Sequence, residues 1–293
     1  MMRWGDDQQY ISKPLSGGPK VKLLHATSDP LGVVAAMAGV YKGEIFDDLK
    51  RISEQDRIHY FEEVHRTHLQ APFEAIQFLF LIEGVDRSFT HQMVRSRMFT
   101  FAQESLRFAV VEDLTSRVDL PPSIAPGTVG EQEWLGVIER IEDVYTTLVN
   151  SGVPAEDARG LLPHATQTRL MVRCDYRNLL KTAGDRLCTQ AQFVWRKVFS
   201  QMIHEIRQYP FQPSHVYLEE GGPGDSQNFQ HVLVGTLLTE GHFAPVCYGL
   251  GHCPFTADFD RRCTIRERVQ EGRFEDINPH EWLLNPAAAR SRT

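Results

Sequence analysis

A near-continuous apolar run, AIQFLFLIEGV at 75–85, is followed within a few residues by HQMVRSRMFTFAQESLRF at 91–108. The first stretch, rich in Phe and Ile and bounded by Gly84, predicts a buried strand. Any fold that buries it must also place Arg95, Arg97 and Arg107, interleaved with Met93, Val94, Met98, Phe99, Phe101 and Phe108. That second stretch is too apolar for a solvated charge face, and charged side chains are seldom fully buried unless paired. Either these arginines meet internal carboxylates, or they line a pocket that takes an anion.

Composition narrows the choice. The 293 residues are enough for one large domain or two small ones. A net charge of −7 opposes a protein built to embrace a nucleic-acid polymer, which shows a basic footprint. A local arginine cluster in an acidic chain points instead to a small anionic ligand. No apolar run is long enough to span a bilayer, and the start, MMRWGDDQQYISK, lacks a signal-peptide core. No membrane association is expected. Five cysteines, an odd number, fit reduced thiols in a cytoplasm better than a disulfide framework.

The periodicities predict an α+β chain. VKLLHATSD (21–29) reads as a strand and turn, and helices are expected over 30–41 and 46–66. A further helix should open near Ser88 as N-cap and carry His91 to Arg97. FTFAQESLRFAVV (99–111) loses helical periodicity and reads as a loop leading to a strand. EWLGVIERIEDVYTTLVNSG (133–152) places Leu135, Ile138, Ile141, Val144, Tyr145 and Leu148 on one helical face, stopped by Gly152. Pro154 opens a short helix, and two more are expected over 176–187 and 191–209. Residues 1–20 read as a loose arm, 21–210 as one α+β domain and 211–293 as a C-terminal extension.

Two segments carry the candidate chemistry. Ser105 and Arg107 fall in a loop after Arg95 and Arg97, and arginine forks with a hydroxyl suit phosphate oxygens. Structural salt bridges with the surplus carboxylates are the competing account. Downstream, EDARGLLPHATQTRLMVRCDYRNLLKTAGDR holds Arg159, Arg169, Arg173, Arg177, Lys181 and Arg186. Arg173 and Arg177 share a helical spacing with Lys181 only if the helix starts early. Like charges so placed repel unless an anion or carboxylate sits among them. In the tail, Cys247, His252, Cys253 and Cys263 reach the number for a tetrahedral zinc site, but C-x₄-H-C-x₉-C is an irregular spacing. Reduced, partly buried thiols are expected there and no metal. The same tail contains GHCPF, which has the residue types of the Pro-Cys-His nucleophile of thiol-dependent thymidylate synthases, in reverse order and without supporting context.

The series Gln92, Arg95, Arg97, Ser105, Arg107, with Arg-x-Arg followed after seven residues by Ser, resembles the signature of the flavin-dependent thymidylate synthases. APFEAIQFLFLIEGVDRS upstream and ARGLLPHATQTRLMVRCDYRNLL…DRLCTQAQ downstream are similar to that family in the same order. The resemblance covers roughly 55–205. It implies a mixed α/β core with an antiparallel sheet flanked by helices, and a homotetramer with active sites between subunits. It implies reductive C5-methylation of a uracil nucleoside 5'-monophosphate, dUMP to dTMP, with FAD as cofactor and NADPH and methylenetetrahydrofolate as co-substrates.

By position, the resemblance implies flavin contacts for Glu74, Arg95, Ser96, Arg97, Asp175, Arg177 and Lys181. It implies nucleotide contacts for His91, Gln92, Gln103, Ser105, Arg107, Arg159 and Arg186. Arg186 matches the arginine that polarises the pyrimidine, and Ser105 and Arg97 stand with it at the reacting centre. The chain departs from the family at Ser96 (usually His), Phe108 (usually Tyr), and Asp175 and Lys181 (usually Asn). These departures keep two alternatives open: methylation of UMP in a specialised nucleoside pathway, or a non-catalytic flavin- or nucleotide-binding homologue.

Overall fold

Phe78, Phe80 and Ile82 are buried in alternation along Gln77–Asp86, the strand β3. In the computed structural model, which describes residues 10–12, 18–188, 191–211, 234–254 and 263, this strand lies inside a four-stranded sheet. Its neighbours are β2 (Lys20–Ala26), β4 (Thr100–Gln103) and β6 (Gln167–Asp175), in the order β2-β3-β6-β4. Helices and this antiparallel sheet make the mixed α+β fold that the resemblance implied. β1 (Tyr10–Ser12) and β5 (Ala109–Val111) form a separate parallel pair.

The described residues form two compact units. The first comprises 82–95 and 101–171 with the described residues up to 20. The second comprises 21–81 and 96–100 with those from 172 onward.

In the first unit, helix α3 (Arg87–Met93) starts two residues earlier than the sequence predicts. Asp86, not Ser88, is the N-cap: its carboxylate accepts from the Phe89 N–H and the Ser88 hydroxyl, both at 2.6 Å. The helix also ends early, so Arg95, Ser96 and Arg97 lie in the turns after it. Gly84, with φ +67°, lets β3 approach the Gly18 carbonyl where a Cβ would collide. Helix α4 (Val129–Asn150) buries Ile138 and Tyr145 among Leu106, Val111, Leu114 and Ala158. The Tyr145 hydroxyl accepts from the Val111 N–H at 3.3 Å, which satisfies it inside this core. Helix α5 (Ala155–Ala158) comes directly after Pro154, as expected.

The second unit opens with helix α1 (Pro30–Val40), capped by Asp29, and α2 (Glu54–Arg66), capped by Ser53. The predicted helix over 46–66 is shorter, because the segment before Ser53 forms only a single 3₁₀ turn at Leu49–Arg51. Asp29 also pairs with Arg57 from α2, and both side chains are buried. Removing one partner would strand a buried charge, at a cost of about 3–5 kcal/mol. Gly32 permits this pair, since a Cβ there would meet both charged groups. Helix α7 (Phe193–Gln208) buries Trp195, Phe199, Met202 and Ile206 on one face. Its Gln201 and Glu205 accept from the Val21 and Leu23 N–H groups of β2, both at 2.9 Å, so the edge strand is covered. Helix α6 (Tyr176–Arg186) and the short helix α8 (Val246–Leu250) complete the labelled elements. Among the described residues, no helix is long and apolar enough to cross a membrane.

Candidate functional site

In the first unit, α3 and the segment after α5 enclose a pocket of about 480 Å³ lined by Arg87, His91, Leu106, Glu156, Arg159 and His164, among others. The pocket is built by backbone as much as by side chains. The Arg87 and Ser88 N–H groups, unpaired within α3 because they open it, both reach the His164 carbonyl, at 2.9 and 3.3 Å. This fixes the ring pair His91–His164, with centroids 5.3 Å apart. Burial pulls the Arg87 guanidinium below its ordinary range; Glu104 opposes that shift, and Arg159 and Arg117 add to it.

The arginine–serine motif folds beside this pocket. Gln103 donates to the Thr90 hydroxyl at 3.1 Å and so ties the end of β4 to α3. Ser105 organises the next turn: its carbonyl accepts from the Phe108 and Ala109 N–H groups and its hydroxyl from the Arg107 N–H. Arg107 reaches Glu156, with Nε at 3.1 Å and Nη2 at 3.0 Å from one carboxylate oxygen. Its guanidinium also sits 5.4 Å from the Phe108 ring centre, a stacking contact that needs no tyrosine hydroxyl. Arg159 donates to the Glu156 main-chain carbonyl at 3.1 Å. Arg87 and Arg159 thus line the pocket with Glu156, and Arg107 joins them through that carboxylate. Glu104 is committed to buried Arg117 at 2.8 Å. Both readings of the sequence hold in part: Arg107 has a structural partner, and the set as a whole keeps excess positive charge. Such a set suits an anion with several oxygens.

Arg87, Glu156 and His164 were not singled out from the sequence. An Asp before a helix would have marked Arg87 as its first residue, next to the positive end of the helix. For His164 no local signal exists, because its position depends on a main-chain contact across 77 residues.

In the second unit the candidates cluster on α6. Asp175 is its N-cap: one carboxylate oxygen accepts from the Asn178 N–H at 2.8 Å and the other from the Asn178 side chain at 2.7 Å. Both carboxylate oxygens thus serve Asn178. Arg173 lies on β6, so the early helix start that would align it with Arg177 and Lys181 does not occur. Arg177 pairs with Glu74 at 2.5 Å. Lys181 is exposed one turn further along. Arg186 ends the helix 4.7 Å above the Trp195 ring, where a cation also complements the helix dipole. Arg95 and Arg97 are exposed, and among the described residues neither has an ion-pair partner. Ser96 accepts from the Phe99 N–H at 2.9 Å through its carbonyl, which fixes the turn between them.

Comparison with known proteins gives consistent results. The family model described as thymidylate synthase complementing protein matches residues 22–210. The chain is 33% identical over 195 residues to a flavin-dependent thymidylate synthase of Geobacter sulfurreducens, covering 64% of this chain and 82% of that one. It is 32% identical over 191 residues to that of Pyrococcus furiosus, covering 64% and 78%. Among solved structures it is similar in fold to a UMP/dUMP methylase from Streptomyces cacaoi bound with 5-Br dUMP. That match has a TM-score of 0.52 and 20% identity, over 66% of this chain and 91% of that one.

Proposed function

Because the chain belongs to the thymidylate synthase complementing protein family, the flavin-dependent thymidylate synthases, we propose that it methylates C5 of dUMP to give dTMP. FAD is the cofactor in this reading, and NADPH and methylenetetrahydrofolate are the co-substrates. The enzyme works as a homotetramer with its active sites between subunits. The observation that carries the reading is the pocket of about 480 Å³ that Arg87, Arg159 and Glu156 line together, with Arg107 paired to the Glu156 carboxylate.

In this reading the three arginines hold the nucleotide phosphate, and Ser105 and Gln103 keep the motif turn in register with α3. His91 and Gln92, on the same helix, face the nucleotide. Phosphate displaces Glu156 from Arg107, an exchange made easy by the half-exposed character of that pair. Arg186, steadied on Trp195, approaches the uracil carbonyl and stabilises the negative charge that develops as C5 attacks. C5 gains a bond to the one-carbon unit and loses its proton, and the bond from that unit to the folate nitrogen breaks, so that tetrahydrofolate leaves. A bound flavin supplies the hydride that brings that unit to the methyl level.

The residues fit a flavin with phosphate groups. Arg95 and Arg97 have no ion-pair partner among the described residues, and Arg177 and Lys181 form an exposed cationic step on α6. Ser96 stands where the family usually has a histidine, in the turn between the two arginines, and offers a hydroxyl in place of the imidazole. Asp175 supports this face through the α6 cap.

Tritium release from C5-labelled dUMP tests the reading, with purified protein, FAD, NADPH and methylenetetrahydrofolate, and labelled UMP in parallel. Release from dUMP supports dTMP formation. Release from UMP alone moves the activity to another nucleotide. Release from neither, with flavin bound, leaves a binding protein and overturns the proposal.

A further inference from the structure

Beyond the family region 22–210, residues 234–250 fold back onto the second unit and bury Val234, Leu238, Phe243 and Cys247. Residues 234–239 are helical and pass close to the end of α7, where a Cβ on Gly235 would collide with the Arg207 carbonyl. Helix α8 then packs on α6: a Cβ on Gly184 would stand 3.7 Å from the Val246 side chain. Between these two points the segment meets an aromatic cluster. The Tyr176 hydroxyl donates to the Leu238 carbonyl at 2.8 Å, a buried bond. The His242 ring stacks on His65 with centroids 3.7 Å apart, and the Phe243 ring centre lies 6.0 Å from that of Tyr176.

The same cluster adjoins the exposed pair Glu74–Arg177. Phe73 and Glu74 are neighbours in the 3₁₀ turn Ala71–Ala75, and Tyr176 and Arg177 are the first two residues of α6. The Phe73 ring meets Tyr176 edge-on at 5.2 Å and His65 at 4.4 Å, and the Tyr176 N–H donates to the Ile76 carbonyl at 2.9 Å. Glu74 and Arg177 are each nearly half exposed, and an ion pair in that setting contributes too little to hold its own geometry. The packed rings hold it instead, because a close-packed interior transmits a shift rather than absorbing it. We propose that residues 234–250 form a strap that positions the flavin-binding face of α6, with Tyr176 as the positioning residue that joins the two. This rests on the flavin reading of Glu74, Arg177 and Lys181. Tyr176 is fully buried, so it acts through the start of α6 and not by touching the cofactor. Docking and binding are then reciprocal: flavin on α6 holds the strap closed, and an opened strap weakens flavin binding by the same factor.

The test combines two measurements on the full-length protein. Hydrogen exchange of the unmutated chain, read by mass spectrometry with and without saturating FAD, needs no variant to fold. Amides of 234–250 should exchange several-fold more slowly with FAD, while those of α4 in the first unit change less. Titration by flavin fluorescence then compares variants. Tyr176→Phe keeps the ring, removes the hydroxyl, and should raise the FAD Kd about 3- to 10-fold. His242→Ala should raise it at least as much. Ile138→Val, in the core around α4, should lower the melting temperature and leave the FAD Kd unchanged, which separates positioning from stability alone. Equal slowing of exchange in 234–250 and α4 would mark global stabilisation only and overturn the proposal. Wild-type FAD binding with unchanged affinity in both Tyr176→Phe and His242→Ala would overturn the strap alone. Wild-type protein that takes up no FAD would overturn the flavin reading and the strap with it.

Discussion

The Glu156 carboxylate, which lines the pocket with Arg87 and Arg159, holds Arg107 through both Nε and Nη2, at 3.1 and 3.0 Å. Both side chains are about half exposed, so the pair adds at most about 1 kcal/mol to stability. Its weight falls on ligand binding. Glu156→Gln should leave the melting temperature nearly unchanged and tighten dUMP binding several-fold. Arg107→Ala should weaken dUMP binding about 10-fold or more while flavin occupancy stays near wild type. Calorimetric titration of both variants decides this, and equal loss of flavin and nucleotide in Arg107→Ala would sink the phosphate assignment.

Arg87 is the residue that the sequence motif leaves out. Its half-buried guanidinium sits near Arg159 and Arg117, so an anion in the pocket relieves repulsion as well as forming hydrogen bonds. Arg87→Met should cost about 1.5–3 kcal/mol of nucleotide binding and raise thermal stability slightly in the nucleotide-free protein. Unchanged affinity would exclude Arg87 from the site.

Asp175 separates a structural role from a cofactor role. Asp175→Ala should destabilise the protein by about 1 kcal/mol through loss of the α6 cap, whereas Asp175→Asn should stay close to wild type. Flavin affinity should track stability in both variants. A flavin-binding defect in a stable Asp175→Asn protein would show direct contact instead.

Arg186→Ala should abolish C5 tritium release with flavin still bound, while Arg186→Lys keeps the charge and loses the planar stack on Trp195. Wild-type turnover in the alanine variant would remove Arg186 from the chemistry.

Stability should fall in mild acid for a reason located at His65 and His242. Their rings stack at 3.7 Å, nearly parallel, and the Tyr176 hydroxyl lies 3.3 Å from His65 Nε2. Burial first, then His242, lowers His65 from 6.5 to about 3, and burial lowers His242 too. The unfolded chain takes up these protons before the folded one does. Stability present above about pH 6.5 is therefore lost as pH falls toward the folded values, at no more than about 1.4 kcal/mol per pH unit for each imidazole. Solvent access reduces the share from His242. Melting temperatures from neutral pH down to about pH 4.5 should fall less steeply in His65→Gln. An identical slope in that variant would assign the acid sensitivity to other groups.

The sequence by itself carried the local structure and the family. The near-continuous apolar run rich in Phe and Ile gave β3, the apolar stripe Ile138–Ile141–Tyr145–Leu148 gave α4, and the spaced arginines and Ser105 identified the motif. These features are written in short-range periodicity or in contiguous residue order, so they survive without three-dimensional information. Where the periodic signal was weak, local reading failed. The chain Gln167–Asp175 is a strand, yet its arginines invited a helical reading of Arg173 with Arg177.

Tertiary structure decided the partnerships. Asp29 with Arg57, Glu104 with Arg117 and His65 with His242 each join residues that no local pattern relates. The same holds for the pocket, where Arg87 and His164 meet only because a helix opening and a distant carbonyl satisfy each other. Burial makes such pairings obligatory, since a charge or N–H removed from water must find its partner wherever the chain path brings one.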